Sequence, residues 1–404
     1  MRQAQWCYIL IDMKIAICSD FFYPELSGIS DSILLFAQTL ASEGHEVMFV
    51  VPKYSKKDYS YISKMGIENP NYGPNISIKR LPSMIYFRAP NKQSRIILPF
   101  GIGLFSMIKW KPDVIYTQSC FVVGFDAFLA TRILKVPLIG TNHTPYGEFI
   151  HDSPNPIIKG MLKYSSWYYN HCDYVTTPCT SLLDEMRIYG LKQKASMLPN
   201  PIALSEFIPV SNEKKLELKK EFNFSDNTIL YTGRLATEKN IDVIIAAVAI
   251  AQKKIKDLSL VIAGHGMAKD DLVKLSKDLG IEDSVKFLGF VPQEKLPAVY
   301  EASDLFIIMS VAESQSLSLM QAMSTGLPVI GANYRALPEY IDKNSGFIVE
   351  PRDHEKLAEV ICEIFENKEM AKNLGLGGIK SVAQYAPEII TNRWKQIYFD
   401  LLKK

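Results

Sequence analysis

The chain has 404 residues, 48% hydrophobic and 22% charged, with a formal net charge of +2. That length exceeds one ordinary domain, and the composition excludes a disordered chain or one whose bulk charge would coat a nucleic acid. The charge is uneven: residues 1–200 carry 20 Lys and Arg against 15 Asp and Glu, and residues 201–404 carry 25 against 28. This bias is either chance or a sign that the first half meets something anionic, such as a phosphate or a membrane surface.

Residues 1–12, MRQAQWCYILID, read as an extension: the apolar stretch is too short for a secretory signal and stops at Asp12. The first strand is KIAICSD, apolar and short, followed by the loop FFYPELSG. Ser30 to Ser42 carries Ile33, Leu34, Ala37 and Leu40 at helical spacing, and Gly44 stops that helix. The strands EVMFVVP, DVIYTQS, PLIGTNH and YVTTP follow.

Between them lies Ile96 to Ile108, IILPFGIGLFSMI, flanked by Arg95, Lys109, Trp110 and Lys111. It falls short of the ~18 apolar residues of a membrane span. It reads either as a packed core helix, which Pro99, Gly101 and Gly103 would weaken, or as an interfacial segment on a membrane surface.

LPNPIALSEFIPV, with three prolines and no periodicity, reads as a linker. A second strand–helix series starts with TILYTGR, a helix from Asn240 to Lys253, LSLVIAG and a helix from Asp270 to Leu279. VKFLG, DLFIIMS and PVIGA are further strands, and Pro387 to Leu402 is an amphipathic helix with Trp394, Ile397 and Tyr398. Alternation at this spacing predicts α/β architecture, two parallel sheets each covered by helices, with ligands in the cleft at the carboxyl ends of the strands. The expected divisions are 13–200, 201–210 as linker, 211–385, and 386–404 as a terminal helix.

The six cysteines are scattered, with no CxxC pair and no zinc-ligand spacing, so a reducing, cytoplasmic setting is expected. The sharpest constellation is GRLATEKN. Gly233 lets the backbone turn at the strand end, and Arg234 offers a planar cationic fork suited to phosphate oxygens. Lys239 adds a point charge, expected one turn into the next helix, whose N-terminus itself favours an anion. An isolated segment of this kind would read as a solvated surface loop; paired with the segment that follows, it does not. Glu313 would sit in the loop at the carboxyl end of the strand DLFIIMS and Gln321 within the following helix; positions eight apart on a helix lie on nearly one face, so both side chains could reach one ligand.

GRLATEKN, the segment from Glu313 through Gln321 into TGLPVI, GHG after LSLVIAG, and VKFLGFVPQEKL together resemble family 4 of the nucleotide-sugar glycosyltransferases. SGISDSI, GHEVMFVVP, KPDVIYTQS, TNHTP, VTTPCTSL and LPNPI agree in order, so the resemblance runs from about Met13 onward. It implies a GT-B fold: two Rossmann-like domains facing across a cleft, the first on the acceptor side and the second binding the nucleotide-sugar, with the terminal helix crossing back to the first. Arg234 and Lys239 would hold the donor diphosphate, Glu313 the hydroxyls of the transferred sugar, and His143 would stand beside that sugar. His143 reads also as a packed loop histidine. Gly28 would bring backbone N–H groups close to the phosphates or the acceptor, and Gly233, Gly264, Ser316, Leu317 and Gln321 would complete the donor site.

Two positions depart from the family. Gln321 stands where a glutamate usually grips the ribose hydroxyls, which predicts a modest loss of donor affinity. Ser316 stands where glycine is usual, and would shift the loop beside the diphosphate. The sequence has no Asp-x-Asp, so no metal or other cofactor is expected, and protein cations meet the diphosphate charge. The resemblance also implies retention of anomeric configuration, with the leaving phosphate taking the acceptor proton. RLPS, the Arg95 to Lys111 stretch and KYSSWYYNHCDYV look most similar to enzymes acting on diacylglycerol or phosphatidylinositol. The expected partners are a UDP- or GDP-sugar, a lipid or glycan acceptor and the inner face of a membrane, with no nucleic acid. Surface-polysaccharide assembly, a weakened sugar-nucleotide binder and an epimerase or phosphorylase are the competing activities.

Overall fold

A computed structural model describes residues 12–25, 27–64, 70–86, 94–145 and 156–403. The expected extension at 1–12 therefore lies outside the described residues except for Asp12. The first half runs β1 (Lys14–Cys18), α1 (Gly28–Ser42), β2 (Glu46–Pro52), α2 (Lys56–Lys64), β3 (Ile76–Leu81), β4 (Ser83–Ile85), β5 (Arg95–Ile97), α3 (Ile102–Trp110), β6 (Val114–Thr117), α4 (Val122–Leu134), β7 (Leu138–Thr141), α5 (Pro156–Asn170), β8 (Tyr174–Thr177), α6 (Thr180–Ile188) and β9 (Ala195–Met197). The second runs α7 (Asn212–Phe222), β10 (Asn227–Thr232), α8 (Ile241–Ala251), β11 (Leu258–Ala263), α9 (Lys269–Asp278), β12 (Val285–Gly289), α10 (Leu296–Glu301), β13 (Leu305–Ile308), α11 (Leu317–Ser324), β14 (Val329–Ala332), α12 (Leu337–Tyr340), β15 (Gly346–Val349), α13 (His354–Glu366), α14 (Lys368–Val382) and α15 (Pro387–Leu402).

Both main sheets are parallel throughout, as continuous apolar strands buried on both faces require. Their orders are β3-β2-β1-β6-β7-β8-β9 and β12-β11-β10-β13-β14-β15. The strand order reverses between β1 and β6 in the first and between β10 and β13 in the second. At such points the loops leave a crevice. This is the predicted pair of Rossmann-like domains.

The final helix does cross back. On α15, Trp394 is fully buried and packs edge-on against Phe36 of α1, with ring centroids 5.3 Å apart, and lies 5.4 Å from Tyr116 of β6. Lys395 reaches Glu43 at 2.6 Å. The domains also meet directly. Glu339 accepts hydrogen bonds from the Thr180 and Ser181 N–H groups at 2.6 and 2.7 Å, capping α6 from the other domain. Arg335 pairs with Glu185 at 2.6 Å, and the Tyr340 hydroxyl donates to the Pro178 carbonyl.

The segment Ile96 to Ile108 is not one helix. It supplies the end of β5, a connector over 98–101 and most of α3, because Pro99 lacks a backbone donor and Gly101 adopts φ 67°. Helix α1 begins at Gly28, two residues earlier than expected, because Ser27 caps it by accepting from the Ser30 N–H. Among the described residues no helix is long and apolar enough to cross a membrane.

Candidate active site

In the second domain the loops after β10 and β13 flank the sheet's switch point. Val311 N–H donates to the Glu238 carbonyl at 2.9 Å, and Asn240 Nδ2 to the Met309 carbonyl at 2.8 Å, so the two loops are tied together. Lys239 Nζ then lies 2.5 Å from Glu313 Oε1 and 3.4 Å from Ser310 Oγ. Both side chains of the ion pair are only slightly exposed. Arg234 stands nearer the solvent and pairs with Glu238 at 2.5 Å.

One sequence expectation about this region is corrected. Lys239 is not one turn inside a helix: it ends a short 3-10 turn, Thr237–Lys239, and the left-handed Asn240 separates it from α8. Glu313 lies in the loop and Gln321 on the helix, as expected; α11 starts only at Leu317, so the eight-residue spacing sets no shared helix face. The β10 and β13 loops, not helical periodicity, bring Lys239 and Glu313 together. Gln321 lies on α11, where its Oε1 is 3.1 Å from the Tyr300 hydroxyl.

Gly233 and Gly264 shape the loops. Both hold φ near +149°, a region side chains avoid, and a Cβ on Gly264 would sit 1.8 Å from the Gly233 carbonyl oxygen. The two loop backbones are thus in direct contact. Ser316 caps α11 by accepting from the Leu319 N–H at 3.2 Å, with φ −93° and ψ 110° that any residue adopts. The Ser316 side chain thus fastens the start of the helix.

Across the cleft, Gly28 opens α1 and faces Leu317: a Cβ would approach Leu317 Cδ1 to 3.0 Å. Gln315 grips the linker residue Asn200 twice, accepting from its N–H at 2.7 Å and donating to its carbonyl at 3.1 Å. The donor-side loop is therefore fastened to Asn200 by two hydrogen bonds and passes close to Gly28.

His143 follows β7 and is buried. Burial lowers its pKa to about 4, so its ring is neutral near neutrality, and its Nε2 bonds to Gln118 Oε1. Sequence reasoning missed Asp20, Gln118 and Ser119, which close the first sheet's switch point after β1 and β6. Burial pushes the Asp20 carboxyl up to about 6, against the opposing effect of its bond from Ser119 Oγ. Polar residues at strand ends resemble any loop in sequence, and only their position at the reversal of strand order marks these three. No group of three or more His, Cys, Asp or Glu side chains among the described residues is placed to hold a metal.

Residues 213–381 match the family model for glycosyl transferases group 1, and residues 26–206 the model for glycosyltransferase family 4. An alpha-monoglucosyldiacylglycerol synthase of Streptococcus pneumoniae is 30% identical over 329 residues, 79% of this chain and 70% of that one. The chain belongs to the family 4 glycosyltransferases. A second alpha-monoglucosyldiacylglycerol synthase, from Acholeplasma laidlawii, is 25% identical and covers 97% of this glycosyltransferase and 98% of its own length. In fold it superposes on Anabaena Alr3699/HepE, solved in complex with UDP, with a TM-score of 0.78 at 17% identity over 96% of this chain and all of that one. The enzyme is a transferase on a GT-B scaffold.

Proposed function

We propose that this glycosyltransferase moves a hexose from a UDP- or GDP-sugar to the hydroxyl of a diacylglycerol-like membrane lipid, with retention and without a metal. The observation that carries the donor half is Lys239, a shielded cation at the switch point of the second sheet, held by Glu313. A diphosphate entering there meets Lys239 and the Arg234 fork, while Glu313 is left to accept hydrogen bonds from sugar hydroxyls. Gly233 and Gly264 let the two loop backbones pack together beside the ligand, with Ser316 and Leu317 at the start of α11 and Gln321 about one turn further on. His143, neutral, stands on the other wall of the cleft. With the diphosphate charge met by protein cations, the leaving phosphate oxygen takes the acceptor proton as the new glycosidic bond forms.

The acceptor half rests on the two relatives named for monoglucosyldiacylglycerol synthesis and on one face of the first domain. Asp126 of α4 accepts from the Leu104 N–H, so the first turns of α3 and α4 stand side by side. They and their leading loops expose Phe100 (63%), Phe105 (69%), Phe121 (49%) and Phe125 (41%). Lys109 and Lys111 lie exposed at the far end of α3. Aromatic side chains at the helix starts, beside the cleft, with cations behind them suit a contact with an anionic lipid surface. Enzyme peripheral on the inner face of the membrane would then receive its acceptor directly into the cleft.

The test is nucleotide release from a panel of UDP- and GDP-sugars in EDTA, with and without vesicles carrying diacylglycerol or phosphatidylinositol. Release that requires one donor and one lipid, with retained configuration in the glycolipid, supports the proposal. Release indifferent to lipid moves the acceptor to a soluble glycan, and donor binding without release makes the protein a sugar-nucleotide binder.

A further inference from the structure

We propose that Gln118 is a positioning residue that fixes the tautomer of His143, and that one buried water, shared by α1, the linker and α15, holds Gln118 in place. The inference rests on the role given to His143 above, but its test does not.

A small cavity lies where these elements join, lined among others by Ser32, Phe36, Tyr116, Gln118, Asn200 and Trp394. The centre of a water molecule can range over about 10 Å3 of it, so there is room for a water. Three polar atoms of its lining residues, Ser32 Oγ, Gln118 Nε2 and Trp394 Nε1, are buried without a protein partner. Leaving such atoms unsatisfied is costly, and their chemistry is complementary to a single water. The amide and indole nitrogens only donate, so the two lone pairs of a water accept both, and one of its protons goes to the Ser32 hydroxyl. The Tyr116 hydroxyl accepts from Thr141 Oγ1 at 2.9 Å and lies close enough to interact with Gln118, but its geometry toward Nε2 falls short of a hydrogen bond.

The orientation of the Gln118 amide has a direct chemical consequence. With Nε2 turned to the water, Oε1 faces His143 Nε2 and accepts a proton from it. The neutral ring then carries its hydrogen on Nε2 and presents Nδ1 as a lone-pair acceptor. An amide flipped by half a turn would impose the opposite tautomer. The neighbouring wall residue Asn200 is the one that Gln315 of the donor-side loop grips, so the cavity sits one residue from both halves of the cleft.

The experiment is a two-bond 1H–15N correlation on the full chain labelled in histidine, with His143 assigned by H143Q. The wild type is expected to show the Nε2–H tautomer and, at Trp394 Nε1–H, cross-relaxation with a long-lived water that S32A weakens. Gln118→Leu is expected to mix the tautomers and to lower kcat roughly 10- to 100-fold with little change in donor KM. Gln118→Glu keeps an acceptor for Nε2–H and is expected to restore the tautomer and most of kcat. An Nδ1–H tautomer in the wild type, a tautomer unmoved in Q118L, or no water at Trp394 overturns the proposal. The tautomer is read without donor or turnover, so failure of the proposed transfer reaction would leave that result standing.

Discussion

The ion pair of Lys239 and Glu313, 2.5 Å long and mostly shielded, makes each side chain depend on the other. Charge-assisted contacts of this kind contribute about 1.5–3 kcal/mol. Lys239→Ala is therefore expected to lower kcat/KM roughly 10- to 100-fold, read in steady-state assays over a donor series. Asp20 gives a pH-dependent outcome. Its carboxyl, raised to about 6, stays protonated in the native protein where the unfolded chain has released the proton. The stability it contributes is full below the unfolded value and is lost as the pH rises through 6. Asp20→Asn is thus expected to raise stability at about pH 7.5, on the order of 3 kcal/mol, and not at about pH 4, in denaturant titrations. His143 acts the other way: its contribution is full above 6.5 and is lost as the pH falls to about 4. Arg234, Lys239 and Glu313 stood out in the sequence because each lies in a segment with a recognisable order of neighbours. Asp20, Gln118 and Ser119 were not, because the strand order that brings them together is set by pairing that the local sequence does not encode.

Helices and strands answer to shorter rules. Ser316 caps α11 with its own side chain, so Ser316→Ala is expected to destabilise the protein by about 1 kcal/mol and Ser316→Gly by only a few tenths. Thermal unfolding of the two variants side by side checks this. Most strands of both sheets were visible as short apolar runs, and α15 was read to its ends, because burial on both sheet faces and a proline at a helix start leave clear marks. The β4–β5 hairpin was not seen: its strands are three residues each and hold exposed Met84, Ile85 and Ile96, so no alternation betrays them. Ile96 to Ile108 was ambiguous for the opposite reason. An apolar run looks the same whether it is one helix or a strand, a connector and a helix, and here Pro99 and Gly101 decide for the latter. Lys239 was misplaced by a similar margin, since the left-handed turn at Asn240 rests on its bond to the distant Met309 carbonyl.

At the scale of the molecule, the aromatic rim of α3 and α4 stands apart from both cores. Phe105→Glu combined with Phe121→Glu is expected to abolish sedimentation with anionic vesicles while leaving donor binding unchanged, because neither side chain belongs to the donor domain. Vesicle pelleting and a donor titration on one preparation separate the two effects. Two domains and their sheet class were legible from the alternation of strands and helices alone. The grip of Gln315 on Asn200 and of Glu339 on α6 was not, since each joins residues more than a hundred positions apart. The crossing of α15 has a further consequence for how the protein is made. Glu43 and Lys395 are 352 residues apart, and the ring that covers Phe36 and Tyr116 is supplied by Trp394. A ribosome therefore delivers the whole second domain before the first can be closed. Throughout that interval the nascent first domain shows an unroofed aromatic face to solvent, the kind of surface that chaperones bind.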